Sequence, residues 1–299
     1  MKKDITALIV TFKTNKKILE KCLKSINKDI KILIIENSKK FENKDFFLRK
    51  FENLKIYCTG SNLGYGKGNN YGLKKVKTKY AIILNPDAYC SKNFFKNLDN
   101  NFKKIKDFHL IGCSYIKKNN TFPAGFFDEK KNKKFEKNIN TKKVKEITKV
   151  DWIRGFCIIV NLEKFRKRDI FDRNYFLFFE EIDLCKSIQR KNGNVYFIKN
   201  LKINHLGFKG SIGSAKIEKN RAENLKNWHF MWSSFYFYKK NFNYFHALKK
   251  MFRKFLSSLI KTIFYALTFQ YSKRNKYLYR FLGIFNSMIG RSSFFKIEN

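Results

Sequence analysis

Acidic residues are scarce in this chain: 24 Asp and Glu stand against 65 Lys and Arg over 299 residues, a formal net charge of +41. Between Asn224 and Lys296 they are missing altogether, while 14 Lys and Arg remain. A merely solvated surface mixes signs, so the tail reads as attracted to a polyanion, either nucleic acid or an anionic membrane surface. Ahead of it, a Lys-, Asn-, Phe- and Ile-rich, proline-poor composition of the kind AT-biased coding produces accounts for the excess equally well. The six cysteines (Cys22, Cys58, Cys90, Cys113, Cys157 and Cys185) form no Cys-x-x-Cys pair, and several lie in apolar runs such as FCIIV. There the thiol acts as a small hydrophobe, which argues against zinc and against a secreted disulfide framework and for a reducing cytoplasm. No uncharged apolar stretch reaches the roughly 20 residues a membrane-spanning helix needs. The apolar run in MKKDITALIVTFK is too short for a signal peptide and is expected to form a first strand.

What is present is alternation. Apolar β-rich runs occur at ITALIV (5–10), KILII (31–35), LKIYC (54–58), YAIIL (80–84) and HLIGCSYI (109–116), with helical spacing between several of them, as in Ile18, Leu19, Cys22, Leu23 and Ile26. Nearly all-apolar strands alternating with helices predict an α/β fold with a mostly parallel central sheet covered on both faces. The Lys/Asn-rich residues 117–149 are expected to form a long surface excursion. Beyond DWIRGFCIIV (151–160), a helix is expected from about Phe179 to Lys191, stopping at Gly193, and then strands VYFIK and LKIN leading to His205. The organisation expected is a catalytic-type domain over 1–215 and a basic helical region over 216–299. In the latter, Phe252, Phe255, Leu256, Leu259, Ile260, Ile263, Phe264 and Leu267 recur every three or four residues opposite Lys249, Lys250, Arg253, Lys254 and Lys261. That amphipathic helix either packs on the main domain with its charges solvated or lies in a membrane interface with its cations on anionic headgroups.

Ligands of open parallel sheets bind beyond the strands' carboxyl ends, so the residues there carry the functional argument. The first strand is followed by Thr11 and the second by Glu36-Asn37-Ser38, where a carboxylate can accept a hydrogen bond from a nucleobase. The third leads into GSNLGYGKGNNYG (60–72), whose glycines allow close backbone approach ahead of a helix start that offers N–H groups to phosphate. The fourth ends in Asn85-Pro86-Asp87, either a turn or a hard oxygen ligand suited to Mg2+ or Mn2+ held through a diphosphate. Most unusual is FLFFEEIDLC (176–185), which crowds Glu180, Glu181 and Asp183 behind three phenylalanines in a chain poor in carboxylates. Three acids at a helix N-terminus are electrostatically favourable and need no function.

Taken in order, NLGYGKGNNYG, LNPDA, DWIRGFCIIV, FLFFEEIDLCKSI and INHLG resemble the motifs of family-2 glycosyltransferases, and within them the rhamnosyltransferase-like enzymes of bacterial cell-surface polysaccharide assembly. The resemblance covers roughly residues 5–210. It implies a GT-A fold, a nucleotide-diphosphate sugar donor, a divalent cation (Mg2+ or Mn2+), inversion at the anomeric carbon and a glycan or polyprenyl-linked acceptor. By position, it implies that Thr11 and Glu36 line the nucleoside pocket and that Asn62, Gly64, Asn69 and Asn70 border the donor. Asp87 would bind the metal and His205 contact it. Trp152, beside Gly155, is either a platform for an acceptor sugar or a core aromatic. In the acidic cluster, Glu181 is expected as the base, with Glu180 holding the acceptor and Asp183 bracing the loop, though the base role stays open between the two glutamates. Two residues depart from the family pattern: Asn85 stands at the first Asp of the Asp-x-Asp element, and Glu181 stands where Asp is usual. Two other readings compete: a nucleic-acid-binding basic protein, which leaves the acidic cluster unexplained, and an inactive relative serving as a scaffold. The expected location is cytoplasmic, peripheral at the inner face of the cell membrane, with no nucleic-acid partner.

Overall fold

The apolar runs form strands because β-branched and apolar side chains alternate between two covered faces. The structure, a computed structural model, describes residues 2–105, 107–115, 124–127, 145–207 and 216–296. In chain order its elements are β1 (Ile5–Thr11), α1 (Lys16–Lys24), β2 (Lys31–Glu36), α2 (Lys44–Lys50), β3 (Leu54–Cys58), α3 (Gly64–Leu73), β4 (Tyr80–Leu84), β5 (Ala88–Cys90), α4 (Phe94–Phe102) and β6 (Leu110–Tyr115). There follow β7 (Ala124–Gly125), β8 (Ile147–Lys149), β9 (Trp152–Ile153), β10 (Cys157–Asn161), α5 (Glu180–Gln189), β11 (Val195–His205), α6 (Lys216–Asn241), α7 (Tyr244–Leu267) and α8 (Tyr271–Met288). Most of the expected 117–149 excursion lies outside the described residues.

These elements divide into two compact units, one of Met1–Leu63, Lys67–Phe171 and Leu184–Ser211, the other of Gly64–Gly66, Asp172–Asp183 and Ile212–Asn299. The first is built on a nine-stranded sheet in the order β3-β2-β1-β4-β10-β6-β11-β5, with β8 on β11. Strands β3, β2, β1 and β4 are mutually parallel, and β6 is parallel to β11; β10, β5 and β8 run antiparallel to their neighbours. The chain leaves β1 for β2 and β3 on one side and returns to β4 on the other, which makes the β1/β4 boundary the topological switch point. Residues VYFIK and LKIN belong to one strand, β11, whose register shifts between Ile198 and Lys202.

One face of the sheet packs Ile5, Ala7, Ile9, Ile32, Ile34 and Ile82 against Leu19, Cys22 and Leu23 of α1 and Phe94 and Leu98 of α4. The opposite face receives α3. A Cβ at Gly72 would stand 2.3 Å from a Leu8 methyl, and one at Gly68 would stand 2.8 Å from Val10. Most of the segment GSNLGYGKGNNYG is therefore helix, and Gly68 and Gly72 let that helix approach the sheet closely.

In the second unit, α6, α7 and α8 pack around Met231, Phe235, Ala247, Met251 and Ile284. Gly283 permits the close crossing, since a Cβ there would meet the Trp228 carbonyl oxygen at 2.3 Å. No helix among the described residues is long and apolar enough to cross a membrane.

Candidate active site

Sheet register gathers residues scattered in sequence at one edge. Thr11 pairs with Glu36 across β1 and β2, at the strands' carboxyl ends. Cys157 pairs with Leu84, which sets Phe156 beside Asn85, whose N–H donates to the Phe156 carbonyl at 2.9 Å. His205 pairs with Ala88 across β11 and β5, so it lies next to Asp87. Gly155 sits at the same edge, just ahead of β10.

Glu36 is buried, and its carboxylate accepts from Thr11 Oγ1 at 2.5 Å, Ser38 Oγ at 2.7 Å and the Lys13 N–H at 3.1 Å. A carboxylate offers about four acceptor positions, so roughly one stays available to an outside donor. Thr11 is thus a positioning residue for Glu36.

Asp87 is 4 % exposed, and its Oδ1 lies 3.3 Å from His205 Nε2. That nitrogen is buried and makes no hydrogen bond, while its ring stacks on Phe156 with centroids 5.3 Å apart and meets Tyr115 edge-on. The Leu206 N–H donates to the Asp87 carbonyl at 3.0 Å and locks the two residues together. An orphaned imidazole nitrogen beside a carboxylate oxygen fits a divalent cation. No group of three His, Cys, Asp or Glu capable of holding a metal occurs among the described residues, so a cation held by Asp87 and His205 would need water or substrate oxygens as further ligands.

Other predicted substrate residues are placed differently. Asn69 and Asn70 are buried in α3, and the Asn70 amide is engaged in both directions with the Phe171 backbone, donating at 2.8 Å and accepting at 3.0 Å. Trp152 is 2 % exposed, and a Cβ on Gly125 would stand 2.4 Å from its indole. Of its two proposed roles, packing is the one this burial serves. Asn62 is half-buried just ahead of α3.

The second unit carries the acidic cluster. Phe178 and Phe179 both have φ of +70°, a left-handed conformation that costs a bulky residue about 1–3 kcal/mol. Neighbours enforce it: Ser233 Oγ donates to the Leu177 carbonyl at 2.9 Å, and Phe230 packs on both rings with centroids 5.7 Å away. Gly64, at φ +79°, makes room below, since a Cβ there would stand 2.2 Å from the Phe176 carbonyl oxygen. The double turn delivers Glu180, Glu181 and Asp183 to the first turn of α5, where the helix dipole favours negative charge.

The three acids then diverge. Asp183 accepts from Lys240 Nζ at 2.5 Å and Asn241 Nδ2 at 2.8 Å. Lys240 also pairs with Asp172 at 2.7 Å, to which the Tyr236 hydroxyl donates at 3.1 Å. Burial works against charge on Lys240, but Asp172 and Asp183 outweigh it and hold its pKa above the ordinary lysine value. Glu180 is 3 % exposed with Oε2 unpartnered; burial first, and then the charge of Glu181, push its carboxyl well above the usual range. A carboxyl shifted in that direction holds its proton more tightly than an ordinary glutamate. Glu181, in the same helix turn, is half-buried.

Sequence reasoning missed Asp172, Tyr236, Lys240 and Asn241. The available signal was a polar stripe, Ser233, Tyr236 and Lys240, at helical spacing within an aromatic-rich helix. Lys240→Met is expected to destabilise the protein by about 2–3 kcal/mol in urea unfolding, because it strands Asp183 in a buried site. The figure lies below the cost of breaking a fully buried pair because the Lys240 side chain is 33 % exposed. Lys240→Arg should recover part of the loss; an unchanged midpoint for Lys240→Met would show that the two aspartates are held by other groups.

The same architecture occurs in solved glycosyltransferases. The chain is similar to the mannosyltransferase PcManGT from Pyrobaculum calidifontis in complex with GDP-Man and Mn2+, with a TM-score of 0.54 and 8% identity over 95% of this chain and 87% of that one. It is also similar to GalNAc-T7 with UDP, GalNAc and Mn2+, with a TM-score of 0.54 and 14% identity over 78% of this chain and 50% of that one. The fold is GT-A. In sequence it is similar to the low-salt glycan biosynthesis hexosyltransferase Agl10 of Haloferax volcanii, 21% identical over 201 residues, and the match spans 64% of each protein. Residues 6–161, more than half of the chain, match the family described as Glycosyl transferase family 2. The chain belongs to that family.

Proposed function

We propose that this protein is a metal-dependent inverting glycosyltransferase of the rhamnosyltransferase-like kind. It moves a hexosyl or rhamnosyl group from a nucleotide-diphosphate sugar to a cell-surface glycan or polyprenyl-linked acceptor. It works in the cytoplasm, peripheral at the inner face of the cell membrane. The observation that carries this reading is the Asp87–His205 pair, a carboxylate and an unpartnered imidazole 3.3 Å apart beyond the switch point of the sheet.

Asp87 and His205 would hold Mg2+ or Mn2+, which when bound supplies positive charge to the diphosphate leaving group. Glu36, oriented by Thr11, Ser38 and Lys13, accepts a hydrogen bond from the base of the nucleotide. Asn62 and Gly64 border the donor, and Gly155 contacts the substrate. Glu181 takes the proton of the acceptor hydroxyl as its oxygen bonds to the anomeric carbon and the bond to the diphosphate oxygen breaks; Glu180 holds the acceptor by a hydrogen bond. Asp183, held by Lys240 and Asn241, fixes this helix turn.

Thermal-shift titration tests the reading. With dTDP-, UDP- or GDP-sugars present at about 100 times Kd, stability should rise by about 2.7 kcal/mol. The rise should require Mn2+ or Mg2+. No shift with any of these donors in the presence of metal would remove the proposal.

A further inference from the structure

The amphipathic helix of the tail turns only part of its apolar side inward, where Phe255 packs on the helical core and on the Phe281 ring. Ala247, Met251 and Ser258 form the buried face of α7, which packs with α6 and α8. At about 100° per residue, Phe252, Leu256, Ile260, Ile263 and Leu267 leave the helix on the opposite side. They are between 43 % and 74 % exposed, and Phe269 in the turn after α7 is 74 % exposed. Lys249 lies within the arc of this stripe and Arg253 beside it, both exposed. A contiguous apolar strip of this extent on a soluble surface marks a contact site.

Its chemistry selects the occupant. Nucleic acid offers anionic charge but no apolar phase for aliphatic side chains. A second copy of this chain offers an apolar stripe but brings the same acid-free, 14-cation tail against itself. An anionic lipid bilayer offers both, acyl chains for the stripe and headgroups for Lys249 and Arg253. With no helix among the described residues apolar enough to span, α7 would lie in the plane of the interface. We infer that the outward stripe of α7, from Phe252 to Phe269, is the surface that seats the protein on an anionic bilayer. This deepens the membrane partner proposed above and rests on it.

Flotation of the full chain with phosphatidylcholine vesicles, with and without phosphatidylglycerol, tests the inference. Wild type should float with the anionic vesicles only, and added salt should weaken binding. Ile260→Ser combined with Leu267→Ser should lower vesicle binding about tenfold or more by removing buried CH2 groups. Lys249→Gln and Arg253→Gln together, both at exposed positions, should produce a comparable loss and guard against misfolding of the first variant. Wild-type protein that stays unbound, or both variants floating as wild type does, overturns the inference. So does a lipid-free wild-type dimer that the Ile260/Leu267 variant converts to monomer. Nucleotide-sugar thermal shifts, measured on the same samples, separate the two proposals: flotation without any donor response sinks the transferase reading and leaves the membrane seat standing.

Discussion

Asp87→Asn is expected to lower sugar transfer by at least about a hundredfold, the scale on which a preorganised charge stabilises a transition state. The substitution is isosteric and leaves the His205 ring on Phe156, so the fold should persist. What it removes is the negative charge at the pair. Asp87 Oδ1 and His205 Nε2 are the only donor atoms assigned here to the cation, so its affinity should fall with activity. The measurement is a transfer assay across a Mn2+ titration, with the apo melting temperature as the control for folding. Activity equal to wild type at low metal would remove Asp87 from the reaction.

Glu181→Gln should cost about 10²–10⁴ in kcat, the range for loss of a general base, with little change in KM for the donor. Glu180→Gln makes the comparison decisive. Burial shifts its carboxyl toward the protonated form, and glutamine matches that form in shape and retains a donor, so its kcat effect should be much smaller. The stability sign is also determined. Unfolded Glu180 ionises near pH 4.5 while the folded group keeps its proton to higher pH, so it subtracts stability as pH rises through that window. Glu180→Gln should therefore stabilise the protein at neutral pH, read as a higher urea midpoint. Loss of turnover in Glu180→Gln with full turnover in Glu181→Gln would exchange the two roles.

Much of this architecture was legible in the residues. Runs such as ITALIV and YAIIL announce strands covered on both faces, and Glu36 and Asp87 stand out because carboxylates are rare beyond such strands. The helix at 64–73 was not legible, because glycine has poor helix propensity and here it serves a close approach to Leu8 and Val10 that propensity does not register. Strand β5 is three residues long, too short to show a period, yet its pairing with β11 puts His205 beside Asp87. Asp183 and Lys240 lie 57 positions apart, and no local pattern links them.

The pattern of apolar and polar residues along the chain was enough to specify strands, helices and an amphipathic tail, because each depends on short-range periodicity. Which side chains meet was a different matter: the imidazole–carboxylate pair, the lysine that clamps two aspartates and the raised pKa of Glu180 all follow from register and burial, which exist after distant segments pack. The outward direction of the α7 stripe belongs with them, since periodicity tells a helix that it has an apolar side and packing alone determines what that side faces.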